Sequence, residues 1–511
     1  MKSILGLAGV LLLAAGISAQ ENYTSSWSQH KDLYVHTGAN RANVTGNVTK
    51  FPLLVRLNST NFNAGFALAK GNGADIRFTK ADNTTRLKHQ IETWDSAGKT
   101  ATIWVLMDTV YGNRQNQNFK MHYGNAGAAD SSKGSAVFDT ANGFVAVWHL
   151  NETTASVGNL VNDATVNANN GKLGLQGSGA APTNTSAMIG VGKTFGGDAA
   201  NTNTNGAFYS IKDSSTSALT SINTVTGPFT ITAWANPDVC ATGTRITVVS
   251  KYDNTNTTGT RAWALQTSAT AASWRLTVNP NTDDFKNNGT GNEFVADNTC
   301  TVGQWDYLSG RYQATTPIVN DATSITMGLD VNAAGEAGPT TANQATSASI
   351  GPDGLAFIGR LMSPANANNR FMRGSVDEIT LSKVYRSNDW VKLSYETQKV
   401  GSTAVTDATV GILPGNGSLQ GFSVSQNAGS LLFRLPVNVG GNAVVTVADL
   451  KGRTVWSRTV STGASESVLS WNGVSEAGMK ASSGLYAVTV SLRDASGASL
   501  GNLSQKVSFS R

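Results

Sequence analysis

Residues 227–237 read GPFTITAWANP. Phe229, Ile231, Ala233 and Ala235 alternate with Thr230, Thr232 and Trp234, the period of two that marks a strand with one apolar face. Gly-Pro before it and Asn-Pro after it are turn signals. Three residues on stands Cys240, one of only two cysteines, and a second strand-like run, ITVVSKYD (residues 246–253), follows a Thr-Gly turn. The stretch reads as the inner part of a β-sandwich. About eighty residues before it and a hundred and sixty after it belong to the same domain.

The 511 residues exceed what one core holds, so several domains are expected. Charged residues make up 14%, and Gly, Asn, Thr, Ser and Ala abound, which favours short strands and many turns over long helices. Lys2, an apolar run from Ile4 to Ala15, and Ile17-Ser18-Ala19 before Gln20 have the form of an export signal, assigned to residues 1–19. That run is short for a membrane span and no other stretch approaches one. The mature chain is therefore expected to be secreted or held at the cell surface. In that setting Cys240 and Cys300 are expected to pair; the alternative is two buried thiols. Lys and Arg number 16 against 20 Asp and Glu over residues 144–410. An acidic middle without a basic, aromatic-interleaved patch argues against nucleic acid.

Residues 20–143 form a first block, with FPLLVRL, ADIRFTK, LKHQIETW, ATIWVLMD and NFKMHYG as five strands. FPLLVRL, GADIRFT, HQIETWD followed by ATIWVLMDTV, and MHYGNAGAADSS resemble the bacterial domain of unknown function numbered 2341. That resemblance implies no chemistry, but such domains commonly precede a laminin-G-like domain.

Residues 144–399 form the second block. Trp148-x-Leu150-x-Glu152, Asp163 to Asn170-Gly171, Phe229 to Trp234, and Gly374-x-x-Asp377-Glu378 follow the order of a concanavalin-like jelly roll of the laminin-G-like type. Residues 400–418, without aromatics and rich in Gly, Thr and Ser, read as a linker. Residues 419–511 read as a small sandwich. There Trp471-Asn472-Gly473 and Gly484 to Val488 resemble the Ig-like C-terminal modules of the flagellar-hook-cap and type IX secretion-sorting kinds. The fold expected is all-β: three β-sandwiches, the central one a jelly roll. A sorting module of that kind would imply a Gram-negative bacterium.

No His-x-x-x-His pair, Gly-x-Ser-x-Gly elbow or phosphate loop with a lysine occurs, so the familiar zinc-protease, serine-hydrolase and nucleotide sites are not expected. A glycosidase needs two carboxylates facing one cleft. Asp377 and Glu378 are adjacent, and on a regular strand they would face opposite sides; a pair assembled from separate strands stays open.

Asp163 to Gly171 (DATVNANNG) has the oxygen-rich, Gly-ended form of a Ca²⁺ loop. The jelly-roll resemblance adds Glu152 and Asp377, giving Glu152, Asp163, Asn170 and Asp377 as candidate ligands of a structural Ca²⁺. The alternative is that Asp163 and Asn170 hold a turn by local hydrogen bonds. For ligand binding, Trp234, Trp263, Trp274 and Trp305 are the candidate stacking faces for sugar rings, against the alternative that they are core. The function expected is adhesion to, or capture of, a polysaccharide or glycan by a non-catalytic lectin-type domain. A polysaccharide-degrading glycoside hydrolase or lyase and a protein-binding surface adhesin are the rivals.

Overall fold

Alternating apolar residues between glycine- and asparagine-led turns give short antiparallel strands from end to end. The computed structural model describes residues 21–510, apart from 24, 154–159, 198–203, 213–218, 220–226, 254–259, 269, 279–293, 315–324, 338–354, 363–369, 408–422, 428, 436–440, 450–451, 463–466 and 495–498. The export signal at residues 1–19 lies outside the described residues.

In the first block a three-stranded sheet runs Val48–Leu57, Thr100–Val110, His89–Asp95. Facing it is a five-stranded sheet ordered Val405–Asp407, Gln29–Val35, Gln117–Tyr123, Arg77–Lys80, Arg86–Leu87. Two of its members were not anticipated. Gln29–Val35 is an added strand, and Val405–Asp407 pairs with it at Leu33–Asp407, Tyr34–Thr406 and Val35–Val405. The start of the supposed linker is thus an edge strand, and Lys31 Nζ fixes it by an ion pair with Asp407 at 2.5 Å. A three-residue strand is too short to show alternation, which is why composition misread it.

The second block is a two-sheet sandwich. One sheet orders Phe294–Thr299, Ser273–Val278, Thr260–Thr267, Thr247–Asp253, Leu355–Ile358, Gly206–Lys212, Gly171–Gln176 and Leu160–Val161. The other orders Thr183–Ser186, Val191–Gly196, Arg373–Ser382, Phe229–Pro237, Asp306–Ala314, Ile325–Val331 and Glu336–Ala337, with Phe144–Trp148 pairing onto Arg373–Ser382. Phe229, Ile231, Ala233 and Ala235 enter the core between the sheets, as their alternation requires. Cys240 and Cys300 are joined, with Cα atoms 6.2 Å apart.

The opposite face of that central strand is dry too. Trp234 is 1% exposed and, with Tyr307 and Val147 from the same sheet, packs into the core of the first block among Phe51, Trp104 and Val105. Helix Asn388–Gln398 adds Trp390, Val391 and Leu393 to this core. Ser387 caps it by accepting from Trp390 N, satisfying one of the amides a helix start leaves unpaired. The first two blocks therefore share a core. The C-terminal strands form separate three- and four-stranded sheets around Phe433, Val445, Trp471 and Phe509. No described helix is long and apolar enough to cross a membrane.

Candidate functional site

The described residues bring one group of carboxylates and imidazole together, where the first block meets the jelly roll. Glu92 comes from the His89–Asp95 strand, His149 from just beyond Phe144–Trp148, and Glu378 from Arg373–Ser382. Each offers a ligand-type atom within 4.8 Å of the others. His149 Nδ1 is 2.8 Å from Glu378 Oε1 and 3.8 Å from Glu92 Oε2. On the ring's other side, His149 Nε2 faces Gln90 Oε1 at 3.3 Å. The indole of Trp104 donates to Glu92 Oε2 at 2.7 Å and stacks over His149, with Phe138 against the imidazole edge. The three side chains are 0% (Glu92), 7% (His149) and 3% (Glu378) exposed, out of reach of a polymer.

Alternation on a regular strand would have separated Asp377 from Glu378. It fails here because the pairing with Phe229–Pro237 slips at Thr232/Trp234, and Glu378 adopts φ 48°. A left-handed residue with a side chain costs about 1–2 kcal/mol, and the bulge turns both carboxylates into the buried contact. Asp377 Oδ2 accepts from Ile189 N at 2.8 Å. Burial, then the charges of Glu378 and Glu92, push its pKa well above the usual carboxylate range. Burial and Glu378 likewise raise Glu92 to about 8. Burial alone would lower His149, but Glu378 and Glu92 outweigh it and hold the imidazole at about 9. Arg56 is near enough for its charge to favour all three carboxylates, and burial brings it down to about 10. Its described hydrogen bonds nevertheless run to the carbonyls of Met188, Thr397 and Gln398.

The four tryptophans do not share a surface. Trp263 and Trp274 point into the jelly-roll core, and Trp274 Nε1 donates to Asp306 Oδ2. Trp234 and the half-buried Trp305 pack toward the first block instead. A stacking face must be open, and at 0–1% exposure Trp234, Trp263 and Trp274 have none to offer.

The Asp163 loop is held by its own hydrogen bonds. Asp163 Oδ1 accepts from Val147 N and Thr165 N, and Oδ2 from Thr165 Oγ1 and Asn169 N. Asn170 Oδ1 accepts from Asp163 N, and Glu152 Oε1 from Asn162 N. The turn-forming alternative describes this geometry, while Asp377 lies with the buried carboxylates rather than with the loop.

A second polar patch lies on the outer face of the eight-stranded sheet. Leu173, Tyr209 and Ile211 enter the core, so Lys172, Phe208, Ser210 and Lys212 face outward by alternation. Phe208 lies over Gly174, where a Cβ would come within 2.5 Å of its ring. Beneath it the Arg360 guanidinium sits 4.5 Å from the ring centroid of Phe208 and 5.4 Å from that of Phe371. Arg370 donates to Gln266 Oε1 alongside.

Residues 72–151 match the family described as Domain of unknown function (DUF2341). The match runs past Gly143, through the jelly-roll strand Phe144–Trp148, and takes in both Glu92 and His149. No curated protein sequence matches the chain. Similar solved structures include "Crystal structure of the receptor binding domain", 8% identical over 70% of this chain and 72% of that one, TM-score 0.35. The binding domain of botulinum neurotoxin DC in complex with rat synaptotagmin II is 8% identical over 72% and 73%, TM-score 0.34. Domain 4 of an extracellular arabinanase from Geobacillus stearothermophilus, in complex with arabinotriose, is 12% identical over 50% and 98%, TM-score 0.27. Likeness at this level decides nothing about a ligand.

Proposed function

We propose that the chain is an exported, non-catalytic recognition protein that holds a polysaccharide or glycan on the outer face of its eight-stranded sheet. The observation that carries this reading is the patch of Phe208 with Lys172, Ser210 and Lys212. A half-buried ring among polar tips suits a sugar, whose C–H groups would pack on the part of the ring left open while side chains fix its hydroxyls. Lys172 and Lys212 are exposed. Both are cationic, and Arg370 adds a third positive charge, which favours a glycan bearing carboxylate or sulfate. The shared core of the first two blocks suits the same role, since it stiffens the sandwich from its other sheet.

The test is a glycan array on the mature chain, with neutral and acidic glycans and with Ca²⁺ added or withheld. Acidic-glycan capture that falls at least tenfold in Phe208→Ala and in Lys172→Ala/Lys212→Ala supports the reading. Capture unchanged in both variants, binding to protein alone, or release of reducing sugar overturns it. A Ca²⁺ at the Asp163 loop, if part of the function, would make capture depend on the added ion.

A further inference from the structure

We propose that Glu92, His149 and Glu378 form a binding site for one first-row divalent cation, of the Zn²⁺ type, that fastens the first block to the jelly roll. The inference is independent of any glycan.

The argument starts from oxygens without donors. Glu92 Oε1, Asp377 Oδ1 and Glu378 Oε2 are buried and have no hydrogen-bond partner among the described residues. Three orphan carboxylate oxygens in one dry contact are expensive, because a buried acceptor left unserved costs about 1–3 kcal/mol and more when charged. The nearby cation does not serve them, since the described hydrogen bonds of Arg56 go to main-chain carbonyls.

The imidazole points the same way. Gln90 Oε1 faces His149 Nε2, so that nitrogen carries a hydrogen and Nδ1 is the one directed at the carboxylates. Nδ1 gives its proton to Glu378 Oε1 at 2.8 Å, and a cation at that point would replace the proton and take the lone pair. A metal ion does this while also serving the carboxylates of Glu92 and Glu378, whose Oε1 and Oε2 are unpartnered. One imidazole with two carboxylates, four-coordinate with a water, is a donor set of the zinc kind, whereas Ca²⁺ prefers oxygen alone. The surroundings hold the donors in place: Trp104 fixes Glu92 Oε2 and Gln90 fixes the imidazole, as outer hydrogen bonds do in metal sites. The left-handed φ of Glu378 is the backbone cost of bringing its carboxylate there.

The test uses the full mature chain, stripped by chelator and dialysed, then titrated with Zn²⁺ and separately with Co²⁺. Metal content is read by elemental analysis, and site geometry by the visible Co²⁺ spectrum. One tightly held equivalent per chain is expected, with affinity at least tenfold weaker in Glu92→Gln and Glu378→Gln and unchanged in Glu152→Gln. No stoichiometric uptake by the wild type, or uptake that Glu152→Gln abolishes while Glu92→Gln leaves it intact, overturns the proposal. Should a glutamine variant fail to fold, zinc-edge absorption on the wild type decides. One nitrogen-type scatterer with oxygens at about 2.0–2.2 Å is expected, and an all-oxygen shell overturns it.

Discussion

The indole nitrogen of Trp234, in the central strand of the jelly roll, donates to Gln398 Oε1 at 2.8 Å. Gln398 is the last residue of the helix that packs on the first block, so one buried hydrogen bond ties together the strand and the helix that both blocks share. Replacing Trp234 with Phe keeps most of the apolar contact but leaves Gln398 unserved. A loss of about 1–3 kcal/mol in urea unfolding is expected, with glycan capture unchanged once the variant is folded. Capture lost in a folded Trp234→Phe would return this ring to the ligand.

Arg56 should matter more. Its guanidinium gathers the carbonyls of Thr397 and Gln398 at the helix end and of Met188 from the jelly roll. Arg56→Met leaves those carbonyls unpaired and removes a positive charge that favours three buried carboxylates. A destabilisation of about 3–5 kcal/mol is expected, as when one partner of a buried charge network is removed. Calorimetry should show it in the transition of the fused blocks, with the C-terminal sandwich melting as before.

Acid stability turns on His89. Both ring nitrogens are buried without a hydrogen-bond partner among the described residues, Phe78 packs against the ring, and burial lowers its pKa to about 3. The unfolded chain takes up this proton near pH 6.5 and the folded chain does not. The stabilisation from a neutral His89 is therefore complete above pH 6.5 and declines as the pH falls toward 3. His36 and His122, each lowered to about 4 chiefly by burial, act in the same direction. His89→Leu should flatten part of the fall in melting temperature between pH 6.5 and 4. A slope identical to wild type would contradict this.

The bridge from Cys240 to Cys300 spans 60 residues of chain. Closing a loop of that length is worth about 4 kcal/mol on the chain-entropy account. Cys240→Ser/Cys300→Ser should lower the jelly-roll transition accordingly, and added reductant should reproduce the shift in wild type but leave the double variant unmoved.

The edge strand at Val405–Asp407 gives a cutting experiment. A chain ended after residue 411 keeps the Lys31–Asp407 ion pair and the strand pairing, whereas one ended after residue 400 loses both. The shorter chain should be more easily cleaved by protease near Gln29–Val35. Equal resistance would show that the strand is dispensable.

Much of the architecture was legible because a period of two is written into each strand. The face of Phe229, Ile231, Ala233 and Ala235, the five strands of the first block and the partnership of the cysteines all follow from local pattern and chemistry. What stayed hidden depends on contacts between distant segments. Trp234 reads as an outward residue of its strand, and nothing within ten residues of it says that Tyr307 and Tyr395 pack against it. The Asp377–Glu378 pair was misjudged for a related reason: strand alternation was assumed where a register slip and one left-handed residue break it. Glu92, His149 and Glu378 lie in three separate stretches with no spacing motif among them, so only the fold reveals their meeting. His149 inside the run VAVWHL was the one local hint, a titratable ring following five consecutive buried positions.

The placement of Trp234 and Tyr307 inside the core of the first block bears on how such a polypeptide is inherited. The matched family segment ends at residue 151, yet expressed by itself it would present a raw apolar surface to water where those two rings belong. Recombination that moved the segment without its jelly roll would yield an aggregating fragment. The two blocks are thus expected to fold only as one unit.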